Sequence, residues 1–118
     1  MQEKWIFKSE NIKKADNILT ALSWVLKEKK NELEIFLSLY AKLDGALAEN
    51  IQLVDPIVSP EQHTGSFYLS FNKIFYNACL NINETDLDKI KLTYEFSPEK
   101  SQLVLIGPDI PERETEDL

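Results

Sequence analysis

The chain has 118 residues and a formal net charge of −7, a length that suits one domain with a core large enough to fold without staples. Its 43% hydrophobic content excludes wholesale disorder, and its single cysteine, Cys79, excludes an intrachain disulfide framework. The charge is local: residues 1–50 hold eight basic and eight acidic residues, whereas residues 51–118 hold five basic against twelve acidic ones. That balance offers no basic footprint for a nucleic-acid backbone. No apolar run is long enough to span a membrane, and the opening MQEKWIFKSENIKK has no signal-peptide pattern, so a cytoplasmic location is expected.

In chain order, Lys4–Phe7 (KWIF) reads as a short strand or as the lead-in to a helix. Ser9 offers an N-cap with Glu10 in the first turn. Apolar residues at 12, 15, 18, 19, 22, 25 and 26 then fall on one arc and predict a helix over about 10–30. Trp24 lies on the opposite, polar face of that helix. A spacing of three and four continues through Leu33, Phe36, Tyr40, Leu43 and Leu47, which predicts a second helix over about 32–49. The alternative is that 33–43 is a strand in a larger antiparallel sheet, because its odd positions are all apolar and Asp44-Gly45 is a hairpin-turn pair. With that strand the element order is loosely similar to small acidic secretion chaperones, a likeness of layout without a shared motif.

Ile51–Val54 could add a strand. Ser59-Pro60 then forms a helix start, with Gln62 completing a capping box. Residues 60–82 are expected as a third helix, on which Phe67, Phe71, Ile74 and Phe75 share an arc of roughly 140°. Leu69, Tyr76 and Leu80 fall on one flank outside that arc, and Tyr68 lies at its edge. This flank and Trp24 are the candidate partner-binding residues, since exposed tyrosine and tryptophan suit interfaces. Lys89–Phe96 alternates cleanly, and a return strand follows the Ser97-Pro98 turn, so a β-hairpin is expected over about 89–96 and 102–107. Residues 1–108 form the expected globular domain, and 109–118 an acidic tail expected to be disordered.

The chemistry-bearing residues do not converge. One histidine and one cysteine, His63 and Cys79, lie sixteen positions apart, about 24 Å along one helix. Asn81–Asp88 is rich in oxygen ligands but lacks the glycine and terminal glutamate of a calcium loop, and is expected as a polar connection. The three glycines stand alone at 45, 65 and 107, so no phosphate loop exists. No catalytic residue, cofactor or metal ligand is assigned. The expected fold class is therefore α+β: three helices packed with a C-terminal antiparallel hairpin. The expected function is a non-enzymatic cytosolic protein-binding module: an inhibitor, an immunity-type or chaperone-like protein, or an accessory subunit. Its partner would be another protein; a homodimer is compatible with the sequence, whereas nucleic acid and membrane are not expected. Two alternatives from other classes are a small-ligand binding domain and an enzyme that uses carboxylates only.

Overall fold

A computed structural model describes residues 1–54, 57, 61–77 and 82–111. β1 (Lys4–Lys8) leads into three helices, α1 (Glu10–Lys13), α2 (Ile18–Glu28) and α3 (Lys30–Ala41). β2 (Ala46–Leu53), β3 (Thr64–Asn77), β4 (Ile82–Ser97) and β5 (Gln102–Ile106) follow. The strands form one curled antiparallel sheet in the order β1-β5-β4-β3-β2. The first two strands of the sequence are thus the two edges of the sheet, and the three helices connect them.

The expected helix over 10–30 is two helices. Ser9 caps the first, its Oγ accepting from the Asn11 N–H at 3.1 Å, and that helix lasts one turn. Asn17 then starts the second, its Oδ1 accepting from the Thr20 N–H at 3.0 Å. An asparagine that bonds its own backbone offers a second start inside a continuous apolar stripe. Of the expected stripe, Ile12, Ala15, Ile18, Leu22 and Val25 are buried, and Leu19 and Leu26 are half-buried against the core; Ala21, outside the stripe, is buried as well.

α3 settles the alternative over 33–43. These residues are helical through Ala41 and end in a 3-10 turn at Lys42–Asp44, so they supply no strand. With that strand gone, so is the likeness to secretion chaperones. The expected helix over 32–49 also stops short. Gly45 takes a left-handed φ of 78°, which closes the helix. Ala46–Glu49, favourable helix formers, are instead the start of β2. Their small side chains explain the override. Ala46 and Ala48 are buried on the covered face of the sheet, where α3 lies against β2. Ser38 on α3 accepts the Ala48 N–H at 3.0 Å, so the helix satisfies a donor on the sheet's edge strand.

The largest correction concerns 60–82. Thr64–Asn77 is β3, not a helix, and pairs with β4 in one unbroken register from Thr64↔Glu95 to Asn77↔Ile82. The proposed start at Ser59-Pro60 lies outside the described residues. Phe67, Leu69 and Phe71 point to the helices and are buried, while Tyr68 points away. Helical spacing looked better because the strand's inner face continues into Lys73. That lysine is tolerated because Asp88 of β4 meets it across the strands. The expected hairpin is likewise only part of a larger sheet. β4 pairs with β5 from Thr93↔Ile106 to Ser97↔Gln102, but β4 begins at Ile82, so residues 82–88 are strand and not a polar connection. Helices packed on a two-stranded hairpin are therefore replaced by helices covering one face of a five-stranded sheet. Its core joins Phe36 and Leu37 of α3 to Leu69, Leu92 and Leu105 of the sheet, all at 0% exposure.

Candidate functional site

The sheet forks. β4 is paired to β3 along its length, but to β5 only over Thr93–Ser97. Past Ile106 the chain stays with the N-terminus: the Gly107 N–H donates to the Glu3 carbonyl at 2.9 Å, and the Ile110 N–H to the Met1 carbonyl at 2.6 Å. It thereby leaves β4. A cleft of about 830 Å³ opens in the fork, between Asp88–Lys91 on one side and Pro108–Pro111 on the other. Tyr40 and Leu43 close it from the end of the helical layer, and Phe71 and Lys73 lie on its β3 side. The first three residues of the expected acidic tail, Asp109–Pro111, belong to this wall: Ile110 packs against the core and Asp109 pairs with the Met1 ammonium at 3.5 Å. Residues 112–118 lie outside the described residues.

Two polar groups hold the cleft's shape. Tyr40 is buried, and its ring stands edge-on to Phe36 at 6.2 Å. Its Oη accepts from the Glu3 N–H at 2.8 Å and donates to the Pro108 carbonyl at 3.0 Å. Burial pushes its phenol pKa up. The phenol sits where a Cβ at Gly107 would be, 2.2 Å from that position, so glycine is required there. Lys73 joins Asp44, after α3, to Asp88 on β4, the latter at 2.9 Å. Its ammonium is pushed above the usual lysine range by the Asp44 carboxylate first and Asp88 second. Burial would raise the Asp88 carboxyl, but the Lys73 ammonium and the Lys89 N–H outweigh it and hold it below the usual range.

Among the described residues no strand pairs with the fork-facing edge of β4 before Thr93. The Phe96 N–H bonds the His63 carbonyl on the β3 side at 2.7 Å, so even-numbered N–H groups of β4 point to β3. Those of Leu87, Lys89 and Lys91 then point into the fork. The Lys89 N–H confirms this, since it donates to the Asp88 side chain at 2.8 Å and not to a strand. Ile90 points under the helices and is buried, whereas Lys89 and Lys91 project from the uncovered face.

The sequence-derived candidates separate on this frame. Tyr68 lies on the uncovered face at 43% exposure, opposite Lys91 and with the Lys89 ammonium 5.8 Å from its ring centre. Leu69 faces the other way and is fully buried against the helices, so it belongs to the core. The Tyr76 backbone pairs with Asn83, and its side chain falls outside the description. Leu80 and Cys79 lie outside the described residues. Trp24 is half-buried against the core, with the Lys29 ammonium 5.8 Å from its ring. Of the expected flank, the described residue Leu69 is therefore core. The structure gathers residues that helical reasoning passed over: Tyr40, Lys73, Asp88, Lys89 and Lys91. Strand alternation would have placed Lys73 and Asp88 on one face, but only once the β3–β4 register is known. Exposed His63 packs edge-on to Phe96 at 5.6 Å.

Among the described residues no group of three or more His, Cys, Asp and Glu side chains comes together to hold a metal. Among the same residues no helix is long and apolar enough to cross a membrane. No protein-family model, no curated protein and no solved structure matches this chain.

Proposed function

We propose that the chain is a non-enzymatic protein-binding module that receives its partner in the fork of the sheet. The observation that carries this reading is the edge of β4 before Thr93, whose outward N–H groups face a cleft of mixed apolar and charged lining instead of a described strand. Unpaired strand edges are costly to leave exposed and are natural sites for adding another chain. Leu43 at the mouth of the cleft and Leu87 on the same strand are 57% and 76% exposed, as expected of groups awaiting a cover. Among the described residues that line the cleft, Asp44 and Asp88 are the two carboxylates, and Lys73 sits between them. The lowered Asp88 pKa suits a structural tie, not a proton donor. The test is a photo-crosslinking amino acid placed at Leu43, with Lys100, in the turn after β4, as control. A discrete protein adduct from native lysate at Leu43 and none at Lys100 is expected. Equal labelling at both positions, or none at either, refutes the reading.

A second reading has one observation in its favour. The cleft volume of about 830 Å³ falls within the roughly 300–1,000 Å³ of small-ligand sites. A library screen by thermal shift, repeated with Leu43→Trp to fill the mouth, distinguishes the two.

A further inference from the structure

We propose that the fork takes an extended segment of another protein as an added β-strand, and that this segment alternates acidic and apolar residues. The inference rests on the protein-binding reading above and names the chemistry of its partner. An added strand would bond the outward backbone groups of Leu87 and Lys91, which flank the Lys89 N–H held by Asp88. Its side chains would alternate between the two faces of the sheet, as those of β4 do. On the covered face they would enter the cleft beside Ile90, where Leu43, Phe71 and Ile110 offer apolar contact next to the Lys73 ion pairs. On the uncovered face they would lie beside Lys89 and Lys91, two cations two residues apart on one strand. Like charges on neighbouring strands repel and opposite charges attract, so these positions select acids.

A second copy of this strand is a poor occupant. Two-fold antiparallel pairing about Lys89 would set Lys89 against Lys89, with Lys91 close by. The chain's own end, Glu112–Leu118 (ERETEDL), has the acids but no apolar residue alternating with them. A partner strand with both satisfies both faces at once. Asp88 has a place in this arrangement as a guard. Its carboxylate occupies the middle donor of the edge, so casual strand pairing is blunted there while the cleft is empty.

The test uses three capped heptapeptides with the full chain: alternating glutamate and valine, alternating lysine and valine, and the glutamate peptide with N-methylated central amides. Amide exchange at Lys91 and Leu87 is followed by NMR, and affinity by calorimetry. The glutamate peptide is expected to slow both amides at least about tenfold and to bind about tenfold tighter than the lysine peptide, the size of two cross-strand charge pairs. The reversed surface variant Lys89→Glu/Lys91→Glu is expected to invert that preference. The N-methylated peptide should protect neither amide. No protection at millimolar glutamate peptide overturns the proposal, as does equal binding of the N-methylated form. Lys91 already protected in the free protein also overturns it, because a second copy or the chain's own end would then cover the edge. A Leu43 crosslink to a native partner together with failure of all three peptides leaves the binding role standing and removes strand addition.

Discussion

Gly107→Ala is the sharpest test of the fork's architecture. An added Cβ would lie 2.2 Å from the Tyr40 Oη, 2.5 Å from Cζ and 2.6 Å from Cε2, where ordinary contact begins at 3.4 Å. The phenol must retreat by more than 1 Å. It has little freedom to do so, since the ring is edge-on to Phe36 and the hydroxyl is bonded to both Glu3 and Pro108. Overpacking of this kind costs about 1–3 kcal/mol, and each lost bond about 0.5–1.5 kcal/mol. The expected loss is therefore about 3 kcal/mol. At 118 residues the entropy of unfolding makes that roughly 12 °C in Tm. Urea denaturation at 25 °C, with calorimetry alongside, measures it. The mechanism is separable from a general effect of alanine at 107 by a double-mutant cycle. Tyr40→Ala removes the obstacle, so Gly107→Ala in that background should cost less than about 0.5 kcal/mol. A small loss for the single variant, or an equal loss in both backgrounds, refutes the reasoning.

Two further outcomes follow from the same geometry. Ser38→Ala strips the acceptor from a buried Ala48 N–H and should cost about 1–3 kcal/mol by urea denaturation; it should also speed exchange of the Ala48 amide. Lys73→Met should cost only about 0.5–1 kcal/mol at neutral pH, because Asp44 and Asp88 are each about half exposed and the pairs are screened. The pH dependence carries the sign. The Asp88 pKa lies below its ordinary 3.8, so its share is complete above that value and lost as pH falls through the lowered pKa. The Lys73 pKa lies above its ordinary 10.5, so its share is complete below that value and lost as pH rises through the raised one. The stability difference between wild type and Lys73→Met should therefore be flat between these limits and shrink outside both. A difference that grows in acid contradicts the assignment.

What the sequence disclosed and what it hid have physical reasons. The stripe from Ile12 to Val25 was legible because a helix buried on one side repeats at its own period. The alternation of Lys89–Phe96 was legible because one face of β4 meets the core there. β3 was misread because it crosses two environments: Phe67, Leu69 and Phe71 lie under the helices, and Lys73 lies at the cleft. A strand that leaves the helical cover loses its clean alternation, and five aromatic residues can then imitate a helix. Ala46–Glu49 was hidden for a different reason, since α3 demands small residues where it crosses β2, and small residues favour helices when nothing else decides. As for the candidate site, Tyr68 was singled out by its chemistry and is exposed beside Lys89. Lys89, Lys91 and Asp88 were not singled out, because an open strand edge is a property of pairing and no local pattern announces it.

The strand order has a kinetic consequence. β1 bonds only to β5 in the sheet, with Lys4 opposite Ile106. During synthesis the first strand therefore emerges with no partner and waits until nearly a hundred further residues have been made. The helices and the β2–β3–β4 meander can assemble meanwhile, but β1 can be locked to β5 only afterwards. Contacts so distant in sequence are the slowest to close. Closure of the fork's outer wall, Met1–Glu3 against Gly107–Ile110, then depends on that later step, and the β4 edge stands open to other chains for the whole of the waiting time.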